Sequence, residues 1–181
     1  MIFEETNLKG AYVVSLELVN DARGGFARTF CKKEFSKINH TKEFVQLNHS
    51  YNTHKGTIRG MHYQVAPYQE IKLIRCVKGA VLDVIIDLRK NSPTFLKHFA
   101  VELSEENKKM IYVPEDFAHG FQTLTNNAEL IYHHTQYYTP GSDAGIRFDD
   151  PALNIKWPFE AVMVSDKDKN YKLIDNNFKG N

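Results

Sequence analysis

Short apolar runs, each cut off by a turn signal, recur along almost the whole chain and constrain its fold more than any other feature. Residues 12–18, 44–48, 71–77, 80–88, 98–103, 109–113, 120–124 and 128–135 read as strands. Lys78 and Gly79, between the third and fourth of these, form a hairpin signal. Polar clusters at 20–25, 91–93, 104–107, 126–127 and 140–143 punctuate the others. Helical pieces are expected only at 32–38 and after Ser165, whose hydroxyl suits an N-cap. Strands this short and this regularly spaced predict an all-β sandwich or barrel of antiparallel strands. At 181 residues, with no linker or repeat, the chain reads as one domain spanning 1–181. The polar tail at 175–181 is expected to fray.

Strand alternation sorts the chemistry-bearing residues onto faces. In 71–77, Lys72 shares a face with Ile74 and Cys76, as it would on a barrel wall facing inward. A buried ammonium there needs an anion or carbonyl close by. In 128–135, Tyr132 shares a face with Leu130 and His134 and points to a cavity by the same logic. In 80–88, Asp83 and Asp87 fall together, opposite Leu82, Val84 and Ile86. Each residue alone has a plainer reading. A strand lysine is commonly a solvated edge residue, a strand tyrosine a packing group, and a lone histidine structural.

Charge and composition exclude several classes. Lys plus Arg is 23 and Asp plus Glu is 22, so no basic field exists to recruit nucleic acid. No apolar run reaches the roughly 20 residues that span a bilayer, so no membrane is expected. The first residues lack a signal peptide's basic flank and apolar segment, which makes the cytoplasm the expected location. Of the two cysteines, Cys76 reads as a buried thiol. Metal is disfavoured. His133 and His134 are adjacent and diverge, the pattern starting at His62 has Gln64 where a second histidine would ligate, and His119 alone cannot complete a set. What remains is His62 and Lys72, ten residues apart in strand segments, with His119 in the later run 114–120. An imidazole base and an ammonium together suit proton removal from a carbon beside a ketone.

These motifs carry a family resemblance. The chain resembles the dTDP-4-dehydrorhamnose 3,5-epimerases, the RmlC-like branch of the cupins, from about Asp21 to Asp168. The matching blocks lie at 21–24, 44–50, 59–64, 72–75, 79–89, 92–94, 114–121, 137–138, 145–147, 149–151 and 155–158, in the family's order. The resemblance implies a cupin-type jelly-roll barrel, a homodimer, a nucleotide-diphospho-sugar substrate, and no metal or other cofactor. It implies His62 as general base, Asp168 as the carboxylate paired with it, Tyr132 as general acid and Lys72 as the cation beside the C4 oxygen. Arg23, Phe26, Arg28, Gln46, Asn48, Arg59, His119, Tyr138 and Lys167 fall where the family binds the nucleotide diphosphate and sugar. At 28 the chain departs, carrying arginine where many members have a glutamate that helps bind thymine. A CDP- or GDP-linked 4-keto sugar therefore stands beside the dTDP-linked one. A sugar-nucleotide 3,4-ketoisomerase and a non-catalytic sugar-nucleotide-binding cupin are the other readings.

Overall fold

The computed structural model describes residues 1–181. Thirteen strands run in chain order: β1 (Ile2–Glu5), β2 (Tyr12–Ser15), β3 (Val19–Asp21), β4 (Gly24–Phe26), β5 (Gln46–Asn52), β6 (Ile58–Gln64), β7 (Lys72–Lys78), β8 (Ala80–Asp87), β9 (His98–Ser104), β10 (Met110–Val113), β11 (Phe117–Thr123), β12 (Ala128–His134) and β13 (Asp143–Gly145). Helix is confined to α1 (Lys32–Phe35), continued by a 3-10 turn at Ser36–Ile38, and α2 (Asp166–Lys169). Both lie where the sequence placed them. Ser165 caps α2 by accepting from the Asp168 N–H at 3.1 Å.

Two antiparallel sheets make the jelly roll. One runs β1-β2-β10-β7-β12-β5, the other β13-β6-β11-β8-β9. Chain neighbours repeatedly change sheet, as between β7 and β8 or β11 and β12. The expected hairpin at Lys78 and Gly79 is therefore a corner: β7 pairs with β10 and β12, and β8 with β9 and β11. Its backbone donors are satisfied by other loops. Gly79 N–H donates to Glu105 Oε1 at 2.9 Å and Ala80 N–H to Thr125 Oγ1 at 3.0 Å. With those donors met from outside, the two strands have no need to pair with each other.

The period-2 pattern explains how three apolar clusters form. Ile74, Cys76, Val81, Ile85, Phe121 and Leu130 face inward and fill the space between the sheets. Both outer faces are covered as well. Leu73, Met110 and Tyr112 pack under Phe35 of α1 on the six-stranded side. Val84, Ile86 and Ala118 pack under Leu153, Trp157, Ile174 and Phe178 on the other. The last of these contacts corrects the expectation of a frayed tail. Phe178 stacks on Phe95, and Asn181 donates from its backbone to Leu88 O at 2.9 Å and from its side chain to Gln64 O and Asp116 Oδ1, both at 3.0 Å. Cys76 is buried, and that burial pushes its thiol pKa up to about 11. No helix is long and apolar enough to cross a membrane.

Candidate active site

Inward-facing positions change from apolar to polar along each strand, and that gradient makes the site. On β12 they read Leu130, Tyr132, His134; on β7, reversed by the antiparallel register, Cys76, Ile74, Lys72. The polar ends leave hollows that side chains do not fill. Three adjoining cavities of about 430, 280 and 240 Å³ share His62 as a wall. The 280 Å³ cavity is lined by His62, Lys72, His119 and Tyr132 together. His62 lies on the five-stranded sheet and Tyr132 on the six-stranded one, so the two rings enter from opposing sheets.

His62 is set by three elements. Its strand partner on β11 is His119 and on β13 Gly145. Where the register of β6 against β11 shifts, Gly60 and Gly120 almost touch: a Cβ on Gly60 would sit 2.6 Å from Gly120 Cα, and its φ of +133° also favours glycine. That close approach frees the Gly60 N–H to donate to Asp168 Oδ2 at 3.1 Å. Asp168 Oδ1 accepts from His62 Nε2–H at 2.7 Å, which leaves the lone pair on Nδ1. Burial opposes the Asp168 carboxylate. The hydrogen bond and charge of His62, with the Gly60 N–H, outweigh it and hold the carboxyl below its ordinary range.

Lys72 is buried, and the anion it requires is Glu70, with Nζ 3.3 Å from Oε1. It also donates to His62 O at 3.4 Å. Glu70 Oε2 accepts from His134 Nδ1–H at 2.7 Å. Burial works against the Glu70 anion too, but His134 and Lys72 more than offset it and keep its carboxyl low. Tyr132 lies nearly parallel to His134, the rings 13° apart with centroids at 5.9 Å, and edge-on to His119 at 5.8 Å. Burial, with Asp83 adding negative charge nearby, pushes the Tyr132 phenol far up, so it keeps its proton at neutral pH. His119 Nε2 meets Asp83 Oδ2 at 2.9 Å, with both side chains buried. Desolvation raises the Asp83 carboxyl and lowers the His119 imidazole, favouring the uncharged form of each.

The four residues expected to act chemically thus converge, with Asp168 behind His62. Among the binding candidates, Asn48, Arg59 and His119 line the 280 Å³ cavity, and Gln46, Tyr138 and Lys167 the 240 Å³ one. Arg59 is held by Asn52 Oδ1 at 2.7 Å, and Lys167 pairs with Asp143. Arg23, Phe26 and Arg28 line none of the three cavities. Arg23 and Phe26 belong to the exposed β3–β4 ribbon, and Arg28, further along, is bound to Glu34 at 2.7 Å. Glu70 and His134 are site residues the sequence reading missed. The signal existed, since His134 shares a strand face with Tyr132 and Glu70 precedes Lys72 by two.

Comparison with known proteins agrees with this geometry. The family model described as dTDP-4-dehydrorhamnose 3,5-epimerase matches residues 5–176. A dTDP-4-dehydrorhamnose 3,5-epimerase of Shigella flexneri is 43% identical over 173 residues, 94% of this chain and 95% of that protein. The crystal structure of a Bacillus anthracis dTDP-4-dehydrorhamnose 3,5-epimerase with TDP and PPi bound superposes with a TM-score of 0.92 at 40% identity, covering 96% of this chain and 99% of that one. A Legionella pneumophila dTDP-6-deoxy-D-glucose-3,5-epimerase in complex with dTDP-4-keto-L-rhamnose gives 0.90 at 38% identity, covering 95% and 92%. A match running through nearly every strand, at about 40% identity to relatives covered almost end to end, places the chain in the dTDP-4-dehydrorhamnose 3,5-epimerase family.

Proposed function

We propose that the chain epimerises a nucleotide-diphospho-4-keto-6-deoxy sugar, dTDP-4-dehydro-6-deoxyglucose first among them, at the carbons flanking the C4 ketone. The observation that carries this reading is the shared 280 Å³ cavity with His62 and Tyr132 on opposing sheets. Inversion needs a proton to leave one face of the sugar and return to the other. His62 Nδ1 removes it, and Asp168 favours the imidazolium that forms. The Lys72 ammonium lies beside the C4 oxygen and stabilises the enolate. The Tyr132 phenol gives its proton to the opposite face. The relatives solved with TDP and with dTDP-4-keto-L-rhamnose favour thymidine as the base. Arg28 is engaged by Glu34 and so presents no free charge against a thymine.

We propose further that the protein works as a homodimer. Arg23 and Phe26 stand on a ribbon remote from their own cavities, Phe26 being 76% exposed, and Leu47 and Tyr51 are exposed on the edge strand β5. A second copy would cover this apolar surface and bring Arg23, whose guanidinium suits a diphosphate, to the neighbouring site.

Incubation in heavy water with dTDP-, CDP- and GDP-linked 4-keto-6-deoxyglucose, read by mass and NMR, tests the reaction. Deuterium should enter beside the ketone with inversion, fastest for the dTDP sugar. His62→Ala should abolish exchange, whereas Tyr132→Phe should reduce inversion more than exchange. Exchange that persists without His62 removes it as the base, and a faster CDP or GDP sugar overturns the choice of nucleotide.

A further inference from the structure

Beside the catalytic groups runs a line of polar side chains to which the proposed mechanism gives no part. Tyr138 N–H donates to Gln46 Oε1 at 3.0 Å. Gln46 Nε2 reaches Asn48 Oδ1 at 3.2 Å, and Asn48 Nδ2 reaches His134 Nε2 at 3.2 Å. His134 Nδ1 meets Glu70 Oε2 at 2.7 Å, and Glu70 Oε1 meets Lys72 at 3.3 Å.

The polarity of this chain is determined from one end. A backbone N–H can only donate, so the Gln46 amide oxygen must face Tyr138 and its NH₂ must face Asn48. Asn48 therefore accepts on Oδ1 and presents its NH₂ to His134. That NH₂ can only donate, so His134 Nε2 must hold a lone pair and the ring proton must sit on Nδ1. Nδ1–H then donates to Glu70, whose carboxylate accepts from His134 on one oxygen and from the Lys72 ammonium on the other. No side chain in the series can be reversed without setting donor against donor.

Two catalytic groups depend on the end of this chain. His134 faces Lys72 across β7 and β12 and lies parallel to the Tyr132 ring two residues away. Lys72 has only two acceptors, Glu70 Oε1 and His62 O at 3.4 Å, which leaves its third N–H for a ligand. Without Glu70, the buried ammonium would lose the one carboxylate that contacts it and would no longer be held in place.

We infer that Glu70 and His134 are a positioning pair for the proposed epimerisation: the hydrogen-bond chain from Gln46 fixes His134 as the Nδ1–H tautomer, which orients Glu70, and Glu70 in turn holds the Lys72 ammonium in place for the ketone oxygen. The inference rests on that reaction for its catalytic part. The tautomer itself stands on the hydrogen-bond directions alone.

Two measurements test it. In the wild-type protein labelled with ¹⁵N-histidine, His134, assigned by comparison with His134→Asn, should show a protonated Nδ1 and an unprotonated Nε2 at neutral pH. A protonated Nε2 overturns the chain. Glu70→Gln cannot accept on both sides, because an amide oxygen turned to His134 sets its NH₂ against the ammonium. Misplacing the cation by about an ångström should lower kcat on the order of 10²-fold, with KM changed less than about threefold. Exchange and inversion should fall together, since Lys72 acts before the proton is returned. His134→Asn, which keeps a donor near Nδ1, should recover much of the rate lost in His134→Leu. An unchanged kcat in Glu70→Gln, or a fall in Glu70→Gln matched by equal loss of thermal stability and by no rescue in His134→Asn, overturns the pair's positioning role. A wild-type protein that exchanges no deuterium refutes the reaction instead, and the histidine spectrum still decides the tautomer.

Discussion

For His62 to serve as the proposed base, Nδ1 must keep its lone pair, and Asp168 favours that by accepting from Nε2–H. Its two oxygens are both spoken for, one by His62 and one by the Gly60 N–H. Asp168→Asn must turn its NH₂ to one of them. Against Gly60 it meets another donor, so it faces His62 and forces the ring proton onto Nδ1. We expect the exchange rate to fall about 10²- to 10⁴-fold with the fold intact, measured by heavy-water incubation alongside a melting curve. That His62, Lys72 and Tyr132 line one cavity, with Asp168 behind His62, was legible because a matched motif or a strand face carried each one. Glu70 was missed because it lies outside any strand, so that only its spacing of two before Lys72 hinted at a shared face. His134 was weighed only as a metal ligand, and its divergence from His133, a fault for chelation, is what turns it toward Tyr132.

At the level of strands and turns, the end of β8 shows how a loop is fastened. Asp87 Oδ1 accepts from Arg89 N–H at 3.0 Å and Arg89 Nε–H at 2.9 Å, and Oδ2 from Ser92 and Thr94, both at 2.6 Å. Burial opposes this anion, yet these donors, with Arg89 Nη2–H at 2.7 Å from Oδ2, lower its carboxyl pKa from 3.8 to about 2. A depressed carboxyl stabilises the fold above its unfolded pKa and loses that contribution as pH falls through the folded one. The shift corresponds to about 2 kcal/mol, complete above about pH 5, mostly lost as pH falls towards 2 and gone near pH 1. Asp87→Asn should therefore lose about 2 kcal/mol at pH 7. Urea melts at pH 7, 4 and 3 should show the gap to wild type closing on acidification. Eight strands of this turn-rich chain were readable from apolar runs and both helices were placed, α2 from its cap, but β1, β3, β4, β6 and β13 fell outside those runs. Which strands pair was not readable either. The Lys78 and Gly79 turn is locally a good hairpin, and only Glu105 and Thr125, distant in sequence, make it a corner.

Across the molecule, helices and loops cover much of each sheet's outer face, while β5 and the β3–β4 ribbon carry a cluster of exposed apolar side chains. If that surface is the dimer contact and Arg23 serves the neighbouring site, two crippled proteins should repair each other. His62→Ala and Arg23→Ala, each weak alone, should regain up to about a quarter of wild-type activity when unfolded, mixed and refolded, because half the dimers are mixed and each of these holds one intact site. No recovery beyond the sum of the two would mean that Arg23 acts in its own subunit or not at all. Sedimentation of the wild-type protein as a monomer would exclude the arrangement. The barrel was foreseen from strand rhythm. The anchored tail was not, because its hold comes from carbonyls at the ends of β6 and β8, distant in sequence, that composition does not reveal.

The hollows that open onto one another around His62 also matter to anyone wishing to block this protein. Weak fragments, each seated in a separate hollow and tethered past the imidazole, would gain affinity from the linkage itself, without a single added contact. Such a tether would lie across the imidazole that all three hollows share.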